Sequence, residues 1–225
     1  MTREFMLEKL SSSPVLVRAA PFVLFVALTS LQGVLGEASR YWLYLAKTLT
    51  GVGLIWWMRP LVAEMRWACS WEALVAGIAV FGLWVGLDGL YPAWVGSGKA
   101  WNPQAQFGPD SGWAWAFIVV RLVGAALVVP PLEEVFYRSF LYRYIAKPDF
   151  QSLPLHHFAW MPLLVTAGIF GAVHPNEWLA GILCGLIYQG LVIRKRRLGD
   201  ALTAHAITNF LLGLWVVGKG AWKFW

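Results

Sequence analysis

The sequence predicts an all-α membrane protein, a single integral-membrane domain of about seven or eight helices over residues 1–225. Hydrophobic residues make up 59% of the chain and charged residues only 13%, whereas about one quarter of a soluble domain is charged. Several apolar runs also approach the length of about 20 residues that a helix needs to cross the hydrocarbon core. Helices are expected because lipid offers no partner for backbone N–H and C=O groups, which a helix pairs internally.

The hydropathy pattern predicts about seven crossings. They fall at residues 21–36, 41–58, 71–90, 113–145, 158–174, 178–194 and 200–217. Because proline interrupts helices, Pro130 and Pro131 predict a break that divides the fourth crossing into two helices. The longest linker, 91–112, is rich in glycine, proline and aromatic residues.

The net charge of +6 is explained by membrane topology without any nucleic acid. If the N-terminus is cytoplasmic, one side of the membrane carries most basic residues, as the positive-inside rule describes. These residues are Arg3, Lys9, Arg59, Arg66, Arg143, Lys147 and the run 194–197. The chain is therefore predicted to be a multi-pass protein of the cell or inner membrane that contacts anionic lipid headgroups. The linker 91–112 and the C-terminus are predicted to face outward.

Four isolated charges lie in or near the predicted crossings. Arg18 and Lys47 are expected to extend along the helix surface to lipid headgroups. Arg121 is expected to pair with Asp88 between helices, because an unpaired charge inside the membrane is costly.

The stretch PPLEEVFYR at residues 130–138 is the first of three polar stretches in the C-terminal half. Prolines favour the first turn of a helix, where free N–H groups attract carboxylates. Glu134 and Arg138 are four residues apart and can pair along one face, whereas Glu133 lies about 100° round the helix and stays available. A partly desolvated carboxylate suits general acid–base chemistry. Equally, both glutamates could simply neutralise Arg138 and Arg143.

The other two stretches contribute His174, in FGAVHP, and the pair His205 and Asn209, in HAITN. A separation of four residues places imidazole and carboxamide on one helix face, where both can donate hydrogen bonds to a developing oxyanion. Structural roles are the alternative. A histidine at a helix end is often a satisfied structural group, and the pair could bond to each other or to a neighbouring helix.

These motifs, EEVFYR, FGAVH and HAITN in this order, resemble the type II CAAX prenyl endopeptidase and bacteriocin-processing membrane proteases, the CPBP or Abi family. The resemblance runs from Trp113 to the C-terminus and indicates a catalytic core at 113–217. The stretches EEVFYRSFLYRYI, NEWLAGILCGLIYQGL and TNFLLGLWVVGKGAWKFW further resemble the CAAX-protease-related subgroup that accompanies exosortase systems. The resemblance thus implies an exosortase-type protein-sorting system as a partner.

The resemblance also implies a role for each matched residue in an intramembrane glutamate-type endopeptidase. Glu133 would activate a water molecule with help from His174, and the water would attack a peptide carbonyl. His205 and Asn209 would form the oxyanion hole.

Glu134 and Arg138 would brace this site, and neither a metal nor another cofactor is implied. The substrate would be a peptide or protein tail. Eukaryotic members of the family cut after a prenylated cysteine, but a prenyl group need not be available to every member, so the substrate itself does not carry over.

Two other functions stay open at this point. Glu133, His174 and His205 could ligate zinc, although the His-Glu-x-x-His spacing of zinc peptidases is absent. The chain could also be a non-enzymatic membrane scaffold or a binder of substrate tails. One geometric difficulty applies to all of these readings: the predicted topology places His174 and His205 at different depths.

Overall fold

A computed structural model describes residues 13–95 and 99–225, so the predicted cytoplasmic residues Arg3 and Lys9 lie outside the described residues. Eight α-helices and no β-strand make up these ranges. They are α1 (Pro14–Ser30), α2 (Ser39–Met58), α3 (Trp71–Gly86), α4 (Pro103–Phe107), α5 (Gly112–Ala146), α6 (Trp160–Ala172), α7 (Trp178–Lys195) and α8 (Gly199–Lys219). Three of them, α5, α7 and α8, are long and apolar enough to cross a membrane. The predicted all-α membrane fold is confirmed.

The first two predicted crossings differ from the helices. The first crossing, 21–36, is wrong at both ends, because α1 begins at Pro14 and ends at Ser30. The Ser13 side chain caps the first turn of α1, and Gly33 leaves helical conformation with a φ of 86°. The helix α2 is not among the three that are apolar enough to span, since Lys47 and several Trp, Tyr and Thr residues lower its hydropathy.

The predicted break at Pro130 and Pro131 is wrong. The helix α5 continues through both prolines, and the preceding segment Gly124–Val128 is a π-helix. Its wider turn lets the N–H of Val129 bond to the carbonyl of Gly124, five residues back. A proline has no N–H to contribute and its ring needs space in the preceding turn, and a π turn accommodates both features.

A second π-helical segment, Val135–Leu141, follows almost at once. Glu133 and Glu134 therefore lie in the middle of a long helix between two π turns. The prediction that they occupy the first turn of a new helix is wrong, because the helix does not restart. Single π turns in α-helices are frequent at functional sites.

Small residues let the helices around the C-terminal half approach closely. A Cβ added to Gly181 on α7 would lie 2.9 Å from the Cα of Gly171 on α6. A Cβ on Gly77 of α3 would lie 2.7 Å from the carbonyl oxygen of Ala204 on α8. These contacts leave no space for larger side chains and hold α8 and its polar face against its neighbours.

A buried group of charges, the Glu64 cluster (Arg18, Glu64, Ser139 and Arg143), joins α1 to α5 and to the loop after α2. Arg18 donates to Glu64 from Nε and Nη2 at 2.9 and 2.8 Å. Arg143 donates to the same carboxylate oxygen at 3.3 Å, and the Ser139 hydroxyl also donates to it. Because Arg18 is only 4% exposed, the prediction that it extends to headgroups is wrong.

The carboxyl group of Glu64 stays ionised in this cluster. Burial by itself would raise its pKa, but the charge of Arg18 and the hydrogen bond from Ser139 outweigh this effect and lower the pKa below the usual 4.5. Two guanidinium groups thus share one carboxylate at the end of the molecule that holds the loop after α2.

The linker before α4 and the C-terminus lie at the opposite end. The backbone N–H of Trp94 donates to the carbonyl of Pro175 at 3.0 Å, and the Trp94 ring stacks on Trp178 with centroids 5.3 Å apart. The N–H of Trp101 donates to the carbonyl of the C-terminal Trp225 at 3.4 Å. Of these aromatic residues, Trp225 also lines the cavity that contains the candidate site.

Candidate active site

A cavity of about 410 Å³ lies within the helices. Glu133, His174, His205 and Asn209 all line it, so the structure brings together the residues predicted from three separate stretches. The expected difference in depth between the two histidines does not separate them. The helix α6 has only 13 residues and is about 20 Å long, so His174 lies less far along the bundle than a full crossing would place it.

Glu134 and Arg138 lie behind the cavity wall. Glu134 is completely buried and Arg138 is 1% exposed. Their predicted pairing along one helix face is confirmed, with Glu134 Oε2 3.2 Å from Arg138 Nε. The guanidinium also lies over the Phe170 ring, 4.9 Å from its centroid, and 6.0 Å from that of Tyr188. Those two rings also contact the two catalytic candidates His174 and His205.

His205 lies between the two glutamates. Its Nδ1 is 2.9 Å from Glu134 Oε1, which is hydrogen-bond distance, and its Nε2 is 4.0 Å from Glu133 Oε2. The second distance is too long for a direct hydrogen bond. Glu134 therefore fixes the orientation of the ring, and Nε2 is the nitrogen directed towards Glu133. This contact between His205 and Glu134 was not predicted from the sequence, because spacing along the chain relates only residues of one helix.

Asn209 is held by the unusual backbone of α5. Its amide nitrogen donates to the carbonyl of Ala125 at 2.9 Å. In an α-helix that carbonyl would accept from Val129, but the π turn directs the Val129 N–H to Gly124. The next residue, Pro130, has no N–H. The combination of a π turn and a proline thus exposes an acceptor for Asn209, whose second amide hydrogen remains available to the cavity.

His174 follows the end of α6 and is fixed by a hydrogen bond to the backbone. Its Nδ1 lies 2.8 Å from the carbonyl oxygen of Phe170. Since a carbonyl only accepts, Nδ1 carries the hydrogen, and the neutral ring has an unprotonated Nε2 that can accept a proton. The rings of Trp84 and Phe170 hold the imidazole at centroid distances of 5.3 and 4.9 Å.

Two cations in the cavity wall, Lys47 and Arg121, were predicted to have other positions. Lys47 is 7% exposed, so its predicted extension to headgroups is wrong. The predicted pair between Arg121 and Asp88 is also wrong, because Asp88 pairs with Lys223 and Arg121 lies against aromatic rings. The sequence did contain a signal that could have placed both residues at the site, because an ionisable residue in a membrane-spanning segment is a candidate functional residue.

The groups that a metal-dependent or an aspartate-based mechanism would require are arranged differently from the residues that line this cavity. Among residues 13–95 and 99–225, no three His, Cys, Asp or Glu side chains are grouped so as to hold a metal ion. Asp88 pairs with Lys223 and Asp200 with Arg197, and neither aspartate lines the cavity. The groups that line it include a carboxylate, a proton-accepting imidazole and two hydrogen-bond donors. This set can activate water and stabilise negative charge on oxygen.

Comparison with known proteins agrees with this chemistry. Residues 112–211 match the family model described as type II CAAX prenyl endopeptidase Rce1-like, whereas no curated protein and no solved structure matches the chain. The matched segment contains every predicted site residue: Glu133, Glu134, Arg138, His174, His205 and Asn209. The family is one of proteases, and residues 112–211 are the part of the chain that is similar to it. The resemblance to CAAX endopeptidases is confirmed, and the exosortase-associated subgroup stays a prediction.

Proposed function

We propose that this chain, a CAAX-type intramembrane protease, hydrolyses peptide bonds by a glutamate mechanism. Glu133 acts as the general base, and His174 orients the water molecule that attacks the peptide carbonyl. One observation carries the proposal: Glu133, His174, His205 and Asn209, from three separate stretches, line one cavity. A cavity within the bundle limits access of bulk water, which strengthens electrostatic interactions there.

In the first step, Glu133 removes a proton from water while the water oxygen bonds to the carbonyl carbon. His174 supports this step because its Nδ1 donates to Phe170 and its Nε2 can accept a hydrogen bond from the same water. The tetrahedral intermediate then collapses and the C–N bond breaks. Glu133 returns its proton to the leaving amine, which balances the reaction without a further proton donor.

The developing oxyanion is stabilised by His205 Nε2 and by the second amide hydrogen of Asn209. For Nε2 to donate, His205 needs hydrogens on both nitrogens, because its Nδ1 faces the Glu134 carboxylate. Arg138 lies 3.2 Å from the same carboxylate and fixes its position. Glu134 and Arg138 are therefore positioning residues that orient the His205 ring.

The substrate is a peptide or protein tail, with or without a prenyl group, and the exosortase-type sorting system remains the proposed partner. We further propose a cytoplasmic N-terminus in the cell or inner membrane. The basic segments that support this orientation meet at one end of the molecule: Lys195 binds Glu72 at 3.2 Å, and Gly199 lies against the backbone of Arg66. Anionic lipid headgroups are the expected contacts of this end.

The test uses the purified full-length protein in lipid nanodiscs and a library of synthetic peptide tails with and without S-farnesyl cysteine. Cleavage is followed by mass spectrometry. We expect Glu133→Gln to reduce turnover at least about a hundredfold, the usual contribution of general base catalysis, with an unchanged melting temperature. Glu72→Gln removes a carboxylate outside the cavity and serves as the matched control.

Equal turnover by the Glu133→Gln and wild-type proteins would refute the mechanism. Tight binding of peptides by the wild type without cleavage of any of them would favour the tail-binding scaffold instead.

A further inference from the structure

Two buried hydroxyl groups connect α8, the helix that carries His205 and Asn209, to two neighbouring helices. Tyr188 on α7 is completely buried, and Thr208 on α8 is 3% exposed. Their hydroxyl oxygens lie 2.6 Å apart, and the Thr208 hydroxyl also donates to the backbone carbonyl of Gly77 on α3 at 2.7 Å. Tyr188 and Thr208 both line the cavity of the candidate site. We call this arrangement the hydroxyl bridge, because it joins α7, α8 and α3.

The direction of the hydroxyl bridge follows from what each group can donate. A carbonyl oxygen only accepts, so the single hydrogen of the Thr208 hydroxyl is used in the bond to Gly77. Tyr188 therefore donates its own hydrogen to the Thr208 oxygen. Both hydroxyl hydrogens thus have an acceptor, and a satisfied polar network in a buried region fixes the side chains that it joins.

The ring of Tyr188 is also in contact with His205. The centroids of the two rings lie 5.5 Å apart, and the ring planes form an angle of 34°. The phenol is held at both ends, by the backbone of α7 and by the bond from its hydroxyl to Thr208. It therefore limits tilting of the imidazole, whose Nδ1 is fixed independently by Glu134.

Thr208 acts on the whole face of α8 that is directed to the cavity. It lies three residues after His205 and directly before Asn209, and residues three or four apart share one face of a helix. Its bond to the backbone of α3 therefore sets the rotation of α8 about its own axis. A rotation of about 10° moves an atom at the helix surface by roughly 1 Å, and a misplacement of that size can cost about a hundredfold in rate.

We propose that Tyr188 and Thr208 are positioning residues that hold His205 and Asn209 in the arrangement needed to donate to one oxyanion. This inference rests on the proposed protease function and adds two residues to its machinery. Neither hydroxyl takes part in the chemistry, because both hydrogens are bound within the hydroxyl bridge. Phenylalanine and valine would fill nearly the same space, so the hydroxyls serve to select one orientation of α8 rather than to fill the core.

The first measurement separates this role from a contribution to stability. Thr208→Val leaves the Tyr188 hydroxyl without its acceptor and should lower the melting temperature, whereas removal of both hydroxyls in Tyr188→Phe, Thr208→Val should restore it nearly to that of the wild type. We expect kcat of this double variant to stay about ten- to a hundredfold below that of the wild type, with KM nearly unchanged, because oxyanion donors act in the transition state. Recovery of kcat together with the melting temperature would overturn the inference.

Two further variants serve as controls. Thr208→Ser keeps the hydroxyl and should retain most of kcat. Tyr142→Phe removes another completely buried hydroxyl, which donates to the carbonyl of His157 and accepts from the N–H of Ala159, both at 3.0 Å. Tyr142 does not line the cavity, so kcat per folded molecule should stay close to that of the wild type. A loss of kcat as large as that of Tyr188→Phe would mean that any buried hydroxyl has this effect, contrary to the inference.

NMR spectra of the full-length protein with isotope-labelled histidine test the arrangement without turnover. We expect the imidazole signals of His205, assigned with a His205→Asn variant, to shift in Tyr188→Phe, Thr208→Val and to stay unchanged in Tyr142→Phe. Phenylalanine keeps the aromatic ring, so a shift reports a change in geometry rather than loss of the ring. Unchanged His205 signals overturn the inference even if the protein cleaves peptides. Shifted signals in a protein that cleaves no peptide support the positioning of His205 and count against the protease function alone.

Discussion

Two groups of buried cations in this protein have opposite surroundings. In the Glu64 cluster, Arg18 and Arg143 share a carboxylate, and the Ser139 hydroxyl completes the network. In the cavity, Lys47 and Arg121 lie against aromatic rings and a threonine hydroxyl, and no carboxylate oxygen in the described part of the chain is within 4.0 Å of either cation. The first group compensates its charge by direct ion pairs, whereas the second forms no direct ion pair with the described residues.

This difference predicts which group contributes to the stability of the folded protein. Removing one member of a compensated network leaves a buried charge without its partner, which costs far more than the network itself contributes. Removing a cation that has no partner eliminates an electrostatic cost of the folded protein. Removing a member of the Glu64 cluster should therefore lower the stability of the protein, whereas removing an unpaired cation from the cavity should not.

The largest effect on stability is expected for Glu64→Ala. It leaves Arg18 and Arg143 facing each other without a carboxylate, and we expect the free energy of unfolding to fall by about 3 kcal/mol. Thermal or denaturant unfolding in detergent measures this loss. Turnover per folded molecule should stay close to that of the wild type, since Glu64 does not line the catalytic cavity.

Glu72→Gln is again the control, because Glu72 pairs with partly exposed cations near the surface and such pairs contribute at most about 1 kcal/mol. Equal losses in the two variants would show that the Glu64 cluster is no more important than a surface ion pair.

A smaller effect of opposite sign is expected for Lys47→Met. The variant loses the hydrogen bond to Thr29, worth about 1 kcal/mol, and contacts with two rings, but it also removes an unpaired charge whose cost is about 2.5 to 3.5 kcal/mol in the membrane. The melting temperature in detergent should be unchanged or higher, corresponding to a gain of up to about 1 kcal/mol. A loss comparable to that of Glu64→Ala would mean that Lys47 is a structural cation.

The smallest effect is the response of the Glu64 cluster to pH. The pKa of Glu64 in the folded protein lies below its usual value of 4.5, so the unfolded chain binds a proton at higher pH than the folded protein does. The stabilisation by Glu64 is complete above the usual pKa and is lost as the pH falls through the lowered pKa. Unfolding of the wild type should therefore become easier on acidification below about pH 4.5, and Glu64→Gln should weaken this dependence.

Individual residues show which side-chain contacts could be predicted from the sequence and which could not. The pairing of Glu134 with Arg138 was predictable, because residues four apart lie on one helix face. The contact of Glu134 with His205 was not, since it depends on the packing of α8 against α5. The positions of Arg18 and Arg121 were predicted wrongly for the same reason: hydropathy shows that a charge lies in an apolar segment but not which part of the fold supplies its partner.

Pro130 and Pro131 show a second limit. Local rules predict a break wherever proline removes a backbone donor. Here a π turn absorbs both prolines within one helix, and the carbonyl that it exposes on Ala125 binds Asn209. A hydrogen bond from another helix offsets the cost of the irregular turn. Rules based on neighbouring residues in the sequence cannot predict that contact.

By itself, the sequence determined that this protein is helical and embedded in a membrane, because composition and the lengths of apolar runs fix how a backbone can satisfy its hydrogen bonds in lipid. It also determined the residue types of the site and their order. The tertiary structure alone decided that Glu133, His174, His205 and Asn209 line the same cavity and that Lys47 and Arg121 face it. Convergence of this kind depends on close packing between helices that are distant in the chain, which sequence spacing does not record.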